Sequence, residues 1–153
     1  MDLGFLIFET ENEYKEYFEQ TYCKKPLMTF DNIPIFFAKD RFYHAFFESS
    51  DRRGSKDIFS TTRAKRMNWI SKTLKSPHAK LYQGWKNGKY TPNIRVAFEF
   101  EEFVVIVRVS LKRNGKLKGN FITCYQADNS IEKIKKSPLW NKESCIELLR
   151  SNR

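Results

Sequence analysis

The sequence predicts an α+β fold in which N-terminal helices pack on a four-stranded antiparallel meander sheet, followed by short C-terminal helices. Three observations lead to this prediction. Apolar residues before residue 77 recur mainly at helical spacing, whereas residues 79–126 form four extended runs separated by short turns. The chain has 153 residues, of which 41% are hydrophobic and 16% aromatic, enough for one packed core. We therefore expect residues 1–153 to form a single domain.

The first helix is predicted from Thr10 to about Tyr22. Thr10 can cap the helix start, and aromatic residues recur at three- and four-residue spacing from Tyr14 onward. Residues 27–30 and 33–37 are then predicted as short strands, with Pro34 restricting the second to a sheet edge or a strand start. Asp40 is expected to cap a short helix over residues 41–48, which carries His44.

A stronger helix is predicted from a cap at Ser60 or Thr61 to Ser76, where Pro77 ends it. The meander strands follow over residues 79–82, 95–100, 103–111 and 120–126. Their predicted turns contain Asn87-Gly88, Glu101-Glu102 and residues 113–115. Residues 128–136 and 144–150 are expected to form the terminal helices.

Charge indicates the kind of partner. The net charge is +10, and residues 51–100 hold 12 Lys and Arg against 3 Asp and Glu, whereas residues 1–50 hold 5 against 9. A positive field on one face of the domain favours polyanions, nucleic acid before an anionic membrane. No run approaches the ~20 apolar residues of a membrane helix, and the start of the chain lacks the basic region of a secretory signal. We expect a soluble, cytoplasmic protein without a membrane partner.

Several classes of chemistry have no sequence support. The three cysteines are widely spaced, which argues against a disulfide framework or a paired-cysteine zinc site. No glycine-rich phosphate loop and no dinucleotide fingerprint is present. The two histidines, His44 and His78, fall in different predicted elements, so a zinc hydrolase is disfavoured. We predict no cofactor.

A magnesium site is the remaining metal-dependent alternative. Glu99, Glu101 and Glu102 are the candidate ligands, because metal-dependent nucleases hold magnesium with carboxylates on adjacent strands. Glu101 and Glu102 fall at a predicted hairpin turn, and a solvated turn explains them better. We predict no metal.

A basic and hydroxyl-bearing set remains, and it can support metal-free cleavage of RNA. That reaction needs a base for the ribose 2′-OH, an acid for the leaving 5′-oxygen and cations for the phosphorane charge. Each residue also has an ordinary structural interpretation: a packing histidine, a solvated helix face, or common strand residues. The set comprises His44, Arg63, Lys65, Arg66, Lys80, Thr123 and Tyr125.

The order of these residues resembles a known group of nucleases. A histidine-bearing helix precedes a basic helix over residues 63–70, then a meander, then a last strand reading Phe-Ile-Thr-Cys-Tyr over residues 121–125. Over residues 33–126 this order resembles the phage-associated branch of the barnase, EndoU, colicin and RelE-like nucleases. The resemblance implies helices before a four-stranded antiparallel sheet and a small, metal-independent, toxin-like endoribonuclease.

The resemblance also implies roles for individual residues. His44 would be a general base or acid, Arg63 or Arg66 would hold the phosphate, and Thr123 would donate a hydrogen bond. Tyr125 would stack on a base or transfer the second proton. Lys80 is a weaker match to the family's pattern, and Cys124 stands where that pattern has a small residue such as Ala. The reaction would leave a cyclic phosphate on an RNA, with tRNA as one option. A toxin would also need an acidic immunity or antitoxin protein to cover its basic cleft.

Strand alternation places Thr123 and Tyr125 on one face, with Ile122 and Cys124 on the other.

The alternative function is a non-catalytic nucleic-acid-binding domain. There the basic segment, including Lys65, neutralises phosphates, and aromatic side chains stack on bases. The stacking candidates are Trp69, Trp85 and Tyr90.

Overall fold

The structure is a computed structural model that describes residues 4–50, 56–86, 89–128 and 130–151, without the side chains of residues 85, 86 and 91–93. It is α+β, as the sequence predicts. Six α-helices lie within the described residues, with a short 3-10 turn at Lys39–Arg41: α1 Glu11–Tyr22, α2 Phe42–Ala45, α3 Thr61–Ala64, α4 Asn68–Lys75, α5 Ile131–Lys135 and α6 Lys142–Ser151. None of these helices is long and apolar enough to cross a membrane.

The strands form one large sheet and one separate hairpin. Six strands make a sheet in the order β1-β2-β8-β7-β6-β5, and β3 pairs with β4. Their bounds are β1 Leu27–Met28, β2 Pro34–Phe36, β3 Phe47–Ser49, β4 Lys56–Phe59, β5 Lys80–Lys86, β6 Lys89–Phe100, β7 Phe103–Leu111 and β8 Leu117–Gln126.

The sheet has more strands than predicted. The antiparallel meander β5 to β8 is present, but β2 adds to the free edge of β8 in parallel and β1 pairs antiparallel with β2, so the sheet is mixed and six-stranded. Gly119 permits this addition, because a Cβ atom there would lie 2.6 Å from Cδ1 of the buried Ile35. Pro34 is the first residue of β2, as its missing N–H requires.

The first helix is confirmed together with its cap. The Thr10 side chain accepts a hydrogen bond from the Glu13 N–H at 3.2 Å, which satisfies one of the unpaired donors at the helix start. Tyr14, Phe18 and Tyr22 are buried on one side of α1. The aromatic spacing therefore identified the face that packs on the core.

Two predicted helices are shorter than expected. Asp40 does not cap a helix over residues 41–48, because the 3-10 turn precedes α2 and Phe47 already pairs in β3. The helix capped by Ser60 is divided into α3 and α4. Between them the backbone tightens to three-residue hydrogen bonds, such as Met67 N–H to the Ala64 carbonyl at 3.0 Å.

The glutamate turn between β6 and β7 is confirmed. Glu101 and Glu102 have φ of 50° and 70°, the left-handed conformation of a two-residue hairpin turn, and both are exposed. The Glu102 N–H donates to the buried Glu99 carboxylate at 2.9 Å. Within the described ranges no cluster of three His, Cys, Asp or Glu residues can hold a metal ion. The Asn87-Gly88 turn lies outside the described residues.

The large sheet has a buried core on each face. Helices α1, α2, α4 and α6 cover one face, where Phe98, Val105 and Phe121 contribute to the main core. Helix α5 covers part of the other face through Ile131 and Ile134, which pack with residues from β5, β6 and β7: Tyr82, Ala97 and Val104. Both sides of the last strand, β8, therefore contact packed side chains.

Replacement of Phe18 by alanine tests the main core. Phe18 is 0% exposed, and its ring lies among the rings of Tyr22, Phe37, Phe42, Phe46 and Phe121. We expect Phe18→Ala to lower the free energy of unfolding by about 3–5 kcal/mol, because a large cavity remains. Phe36→Ala is the control, since Phe36 is 40% exposed and should cost less than about 1 kcal/mol. Denaturant unfolding measures both, and equal losses would contradict this assignment of the core.

Candidate functional site

A cavity of about 180 Å³ lies where the end of β8 meets α3 and the β3 strand. We call it the arginine cavity. Its charged and phenolic lining residues are two arginines, two carboxylates and a tyrosine: Arg63, Arg66, Glu48, Asp128 and Tyr125. The rest of the lining is Thr62, Phe103, Cys124 and Gln126.

The start of α3 positions both arginines. The Ser60 N–H donates to the Phe46 carbonyl at 2.7 Å, and the Ser60 side chain accepts from the Arg63 N–H at 3.2 Å. Ala64 is completely buried, so this turn of helix is anchored in the core. Arg63 and Arg66 are three residues apart and lie on one side of the helical turn. This geometry brings two guanidinium groups to one cavity.

Arg63 is paired loosely with a carboxylate. Its Nε atom lies 3.7 Å from Oε1 of Glu48, and the two side chains are 30% and 54% exposed. A charge-assisted hydrogen bond is usually about 2.7–2.9 Å long, so the two groups attract each other without a tight bond. The Arg63 guanidinium can therefore exchange Glu48 for another anion at low cost.

Arg66 is held more firmly but retains an unpaired donor. Its guanidinium donates to the Thr62 carbonyl and lies 5.3 Å from the ring centres of Phe5 and Trp69. Its Nε atom is buried without a hydrogen-bond partner, as is Oε1 of Gln126 in the same cavity. A buried polar atom without a partner costs about 1–3 kcal/mol, which a polar ligand in the cavity can offset.

A further cation lies beside this cavity. The Lys56 ammonium donates to the His44 carbonyl at 2.7 Å. Burial lowers the pKa of Lys56, and the nearby charge of Arg63 lowers it further. Lys56 of β4, Arg63 of α3 and Arg66 of the α3–α4 turn thus create a concentrated positive field in the part of the protein that contains the cavity.

Burial controls the titration of the two ionisable β8 residues that face this cavity, Cys124 and Tyr125. It raises the pKa of the Cys124 thiol to about 12, although the charges of Arg63 and Lys56 act in the opposite direction. Burial also raises the pKa of the Tyr125 hydroxyl. At neutral pH Tyr125 is therefore protonated and can donate a hydrogen bond, and Cys124 is an uncharged packing residue.

The structure brings only part of the predicted set together. Arg63, Arg66 and Tyr125 line the arginine cavity, but His44 is exposed on α2 and does not line it. Thr123 lines a different cavity on the other face of the sheet. The catalytic role predicted for His44 stays a prediction.

The predicted nucleic-acid contacts are also dispersed. The Lys65 ammonium lies 4.4 Å from the centre of the Phe5 ring, and Lys80 is exposed at the start of β5, opposite Glu99. Trp69 donates to the Gly4 carbonyl at 3.1 Å and stacks on Phe5, so it packs within the protein. The Trp85 side chain lies outside the described residues.

A bulge in β8 changes the predicted alternation. Ile106 pairs with Thr123 and Val107 with Phe121, which leaves Ile122 as the extra residue. Thr123 and Tyr125 share a face, as predicted, because both line the second cavity. Ile122 lines that cavity too and does not share the core face of Cys124, which corrects the prediction.

Sequence reasoning missed four polar residues of the arginine cavity. Glu48 was placed at the end of a helix and in fact lies in β3, and Thr62 lies in α3 beside the predicted arginines. Gln126 is the last residue of β8 and Asp128 follows that strand, and neither belongs to any motif. The chain order contains no signal that would place Glu48 beside Arg63. Only the pairing of β3 with β4 brings that carboxylate to α3.

Comparison of the chain with known protein families, curated proteins and solved structures found no significant match. The resemblance to the barnase, EndoU, colicin and RelE-like nucleases therefore stays a prediction, as do the toxin-like role and the acidic partner protein.

Thiol labelling tests the burial of the β8 edge of the cavity. Cys124 and Cys145 are buried, whereas Cys23 is half-buried, and burial raises the pKa of all three thiols. Because a reagent must reach the sulfur atom, at about pH 8 we expect a chromogenic disulfide reagent to modify only the partly exposed Cys23 in the folded protein. All three thiols should react in denaturant. The Cys23→Ser variant is the control, and fast labelling of that folded variant would contradict the burial of Cys124 and Cys145.

Proposed function

We propose that the protein is an endoribonuclease that holds an RNA phosphate in the arginine cavity and cleaves without a metal ion. The observation that carries the proposal is the meeting of Arg63, Arg66 and Tyr125 at one cavity. The net charge of +10 supports it, since a basic protein attracts a polyanion before any specific contact forms.

Phosphate recognition follows from the two guanidinium groups. Arginine presents donors in a planar fork that matches phosphate oxygens. Arg66 has its unpartnered Nε donor in place, and Arg63 can leave its long contact with Glu48. Thr62 and Tyr125 add hydroxyl groups to the same lining.

One feature favours RNA over DNA. Oε1 of Gln126 is a buried acceptor without a protein partner, so it can accept a hydrogen bond from a ligand. The ribose 2′-OH is such a donor, and DNA lacks it. A phosphate on the arginines would bring the sugar of the same nucleotide close to Gln126.

The same groups can perform the cleavage. The 2′-oxygen attacks the phosphorus as its proton passes to a base, and the 5′-oxygen leaves with a proton from an acid, which yields a cyclic phosphate. Glu48 is the carboxylate beside Arg63 and can accept the first proton, and the protonated Tyr125 can donate the second. Arg63 and Arg66 stabilise the charge that develops on the phosphorane oxygens.

The alternative is a non-catalytic RNA-binding domain. Its binding site would be the same, because phosphate contacts by arginine are needed in both cases. The two functions differ in proton transfer, so only the endoribonuclease cleaves the RNA that it binds.

Removal of one guanidinium tests the phosphate site. Arg66→Ala should weaken the binding of a labelled RNA at every sequence and reduce the slope of log affinity against log salt by about one. Arg113→Ala is the matched control, because Arg113 is exposed at the turn between β7 and β8. Fluorescence anisotropy over a salt series measures both variants. If the folded Arg66→Ala protein binds RNA with the same affinity as the Arg113→Ala protein, the arginine cavity does not take part in RNA binding.

Cleavage in excess EDTA tests the catalytic proposal. We expect wild-type protein to cut a labelled RNA pool with EDTA present and to leave cyclic phosphate ends. Glu48→Gln should lower the rate by ~10²- to 10⁴-fold, because it removes the proton acceptor at the cavity. His44→Ala is compared with it, since the sequence analysis predicts His44 as a general base or acid.

Each result of that assay has a definite meaning. A large loss in His44→Ala with little loss in Glu48→Gln would assign the base to His44. Loss of wild-type activity on chelation, restored by magnesium, would overturn metal independence. Binding without cleavage under both conditions would leave the non-catalytic domain as the function. Thermal melts of each variant exclude unfolding as the cause.

A further inference from the structure

We propose that a second cavity, on the opposite face of β8, binds an unpaired base of the RNA strand whose phosphate occupies the arginine cavity. This inference rests on the proposed function and extends it to the class of RNA. The second cavity has a volume of about 340 Å³ and lies between α5 and the sheet face formed by β5 to β8. We call it the base cavity.

The size and lining of the base cavity suit a flat aromatic ligand. Ala97, Ile106 and Ile122 form an apolar surface, and the side chains of Tyr90 and Tyr125 border it. A cavity of about 150 Å³ already admits benzene in other proteins, so the base cavity has ample room for a nucleobase. Stacking on an aromatic ring is the usual way in which proteins hold single-stranded RNA.

Polar groups in this cavity match a nucleotide better than an apolar molecule. The Thr123 hydroxyl is buried without a hydrogen-bond partner, and it can donate to or accept from the edge of a base. Arg95 and Lys133 also line the cavity and provide positive charge beside it for a flanking phosphate. An unpartnered hydroxyl, an apolar surface and two cations together indicate a base with its sugar-phosphate chain.

Tyr125 connects the two cavities, since it lines both of them. One RNA strand can therefore pass along the end of β8 with a phosphate at Arg63 and Arg66 and a base on the other face. A base in a duplex cannot enter, because it is stacked between its neighbours and paired through its polar edge. The base cavity thus selects unpaired RNA, such as a loop or a single strand.

Obstruction of the base cavity tests the proposal. Ser137 lines the cavity two residues after the end of α5, so Ser137→Trp places a large ring inside it. The control is Ser144→Trp, because Ser144 is exposed on α6 away from both cavities. Anisotropy measures the affinity of each protein for a labelled single-stranded RNA and for a blunt duplex of the same sequence.

We expect Ser137→Trp to weaken binding of the single strand by roughly 5- to 100-fold, the range for loss of one stacked base. Its affinity for the duplex should stay that of wild type, and Ser144→Trp should bind both RNAs normally. In wild-type protein, an abasic site at one position of the single strand should cause a similar loss. The Ser137→Trp protein should bind the same abasic RNA with the affinity that it has for the intact single strand.

The conservative variant Thr123→Val supplies a second test that preserves volume. We expect it to bind the single strand several-fold more weakly and to melt at or above the wild-type temperature, because it removes an unpartnered buried hydroxyl. A structural role of that hydroxyl would instead lower the melting temperature. Normal affinity of Thr123→Val for the single strand would overturn the hydrogen bond to the base.

Failure of this inference differs from failure of the proposed function. If Ser137→Trp binds both RNAs normally while Arg66→Ala weakens both, the base cavity has no role and the phosphate site stands. Equal weakening of single strand and duplex by a folded Ser137→Trp protein also overturns the inference. If neither variant changes RNA affinity, both proposals are wrong.

Discussion

Phe18 is completely buried among the aromatic rings of α2 and β8, and this contact holds the first helix against both elements. Phe18 lies 5.6 Å from the Phe46 ring and 6.2 Å from the Phe121 ring, which joins the first helix to the end of α2 and to the last strand. Phe46 in turn accepts the Ser60 N–H and so fixes the start of α3. The positions of Arg63 and Arg66 relative to β8 therefore depend on a cluster of apolar rings, none of which faces the arginine cavity.

The last strand has the second decisive role, because it contributes to a cavity on each face of the sheet. The bulge at Ile122 turns the chain so that Phe121 and Cys124 both reach the main core, although they are three residues apart. Thr123 and Tyr125 consequently face the side covered by α5. The proposed RNA path follows from this geometry, since Tyr125 is the side chain shared by the two cavities.

The unsatisfied polar atoms link stability to function. Within the part of the chain that the structure describes, four side chains bury a polar atom without a partner. Three of them line one of the two cavities, namely Arg66, Thr123 and Gln126, whereas Thr73 lies in α4 away from both. Such atoms weaken the folded state unless a ligand pairs with them. A polar ligand that pairs with these atoms removes that energetic cost, and the free energy recovered adds to the affinity for the ligand.

Elements whose signals are local could be predicted from the amino-acid sequence. The cap at Thr10, the aromatic face of α1, the glutamate turn and the order of the meander strands depend on residues within a few positions of one another, and each is present. Arg63 of α3 and Arg66 of the turn that follows could be predicted to share a side of the helical segment for the same reason, whereas Lys65 could not be separated from them.

Contacts between distant segments could not be predicted in this way: β2 joins β8, Glu48 meets Arg63, and His44 and Thr123 lie outside the arginine cavity. Those outcomes depend on contacts between distant segments, on a glycine at 119 that admits Ile35, and on one extra residue in β8. Propensity and periodicity report only what neighbouring residues prefer, and they contain no information about which distant surfaces pack together.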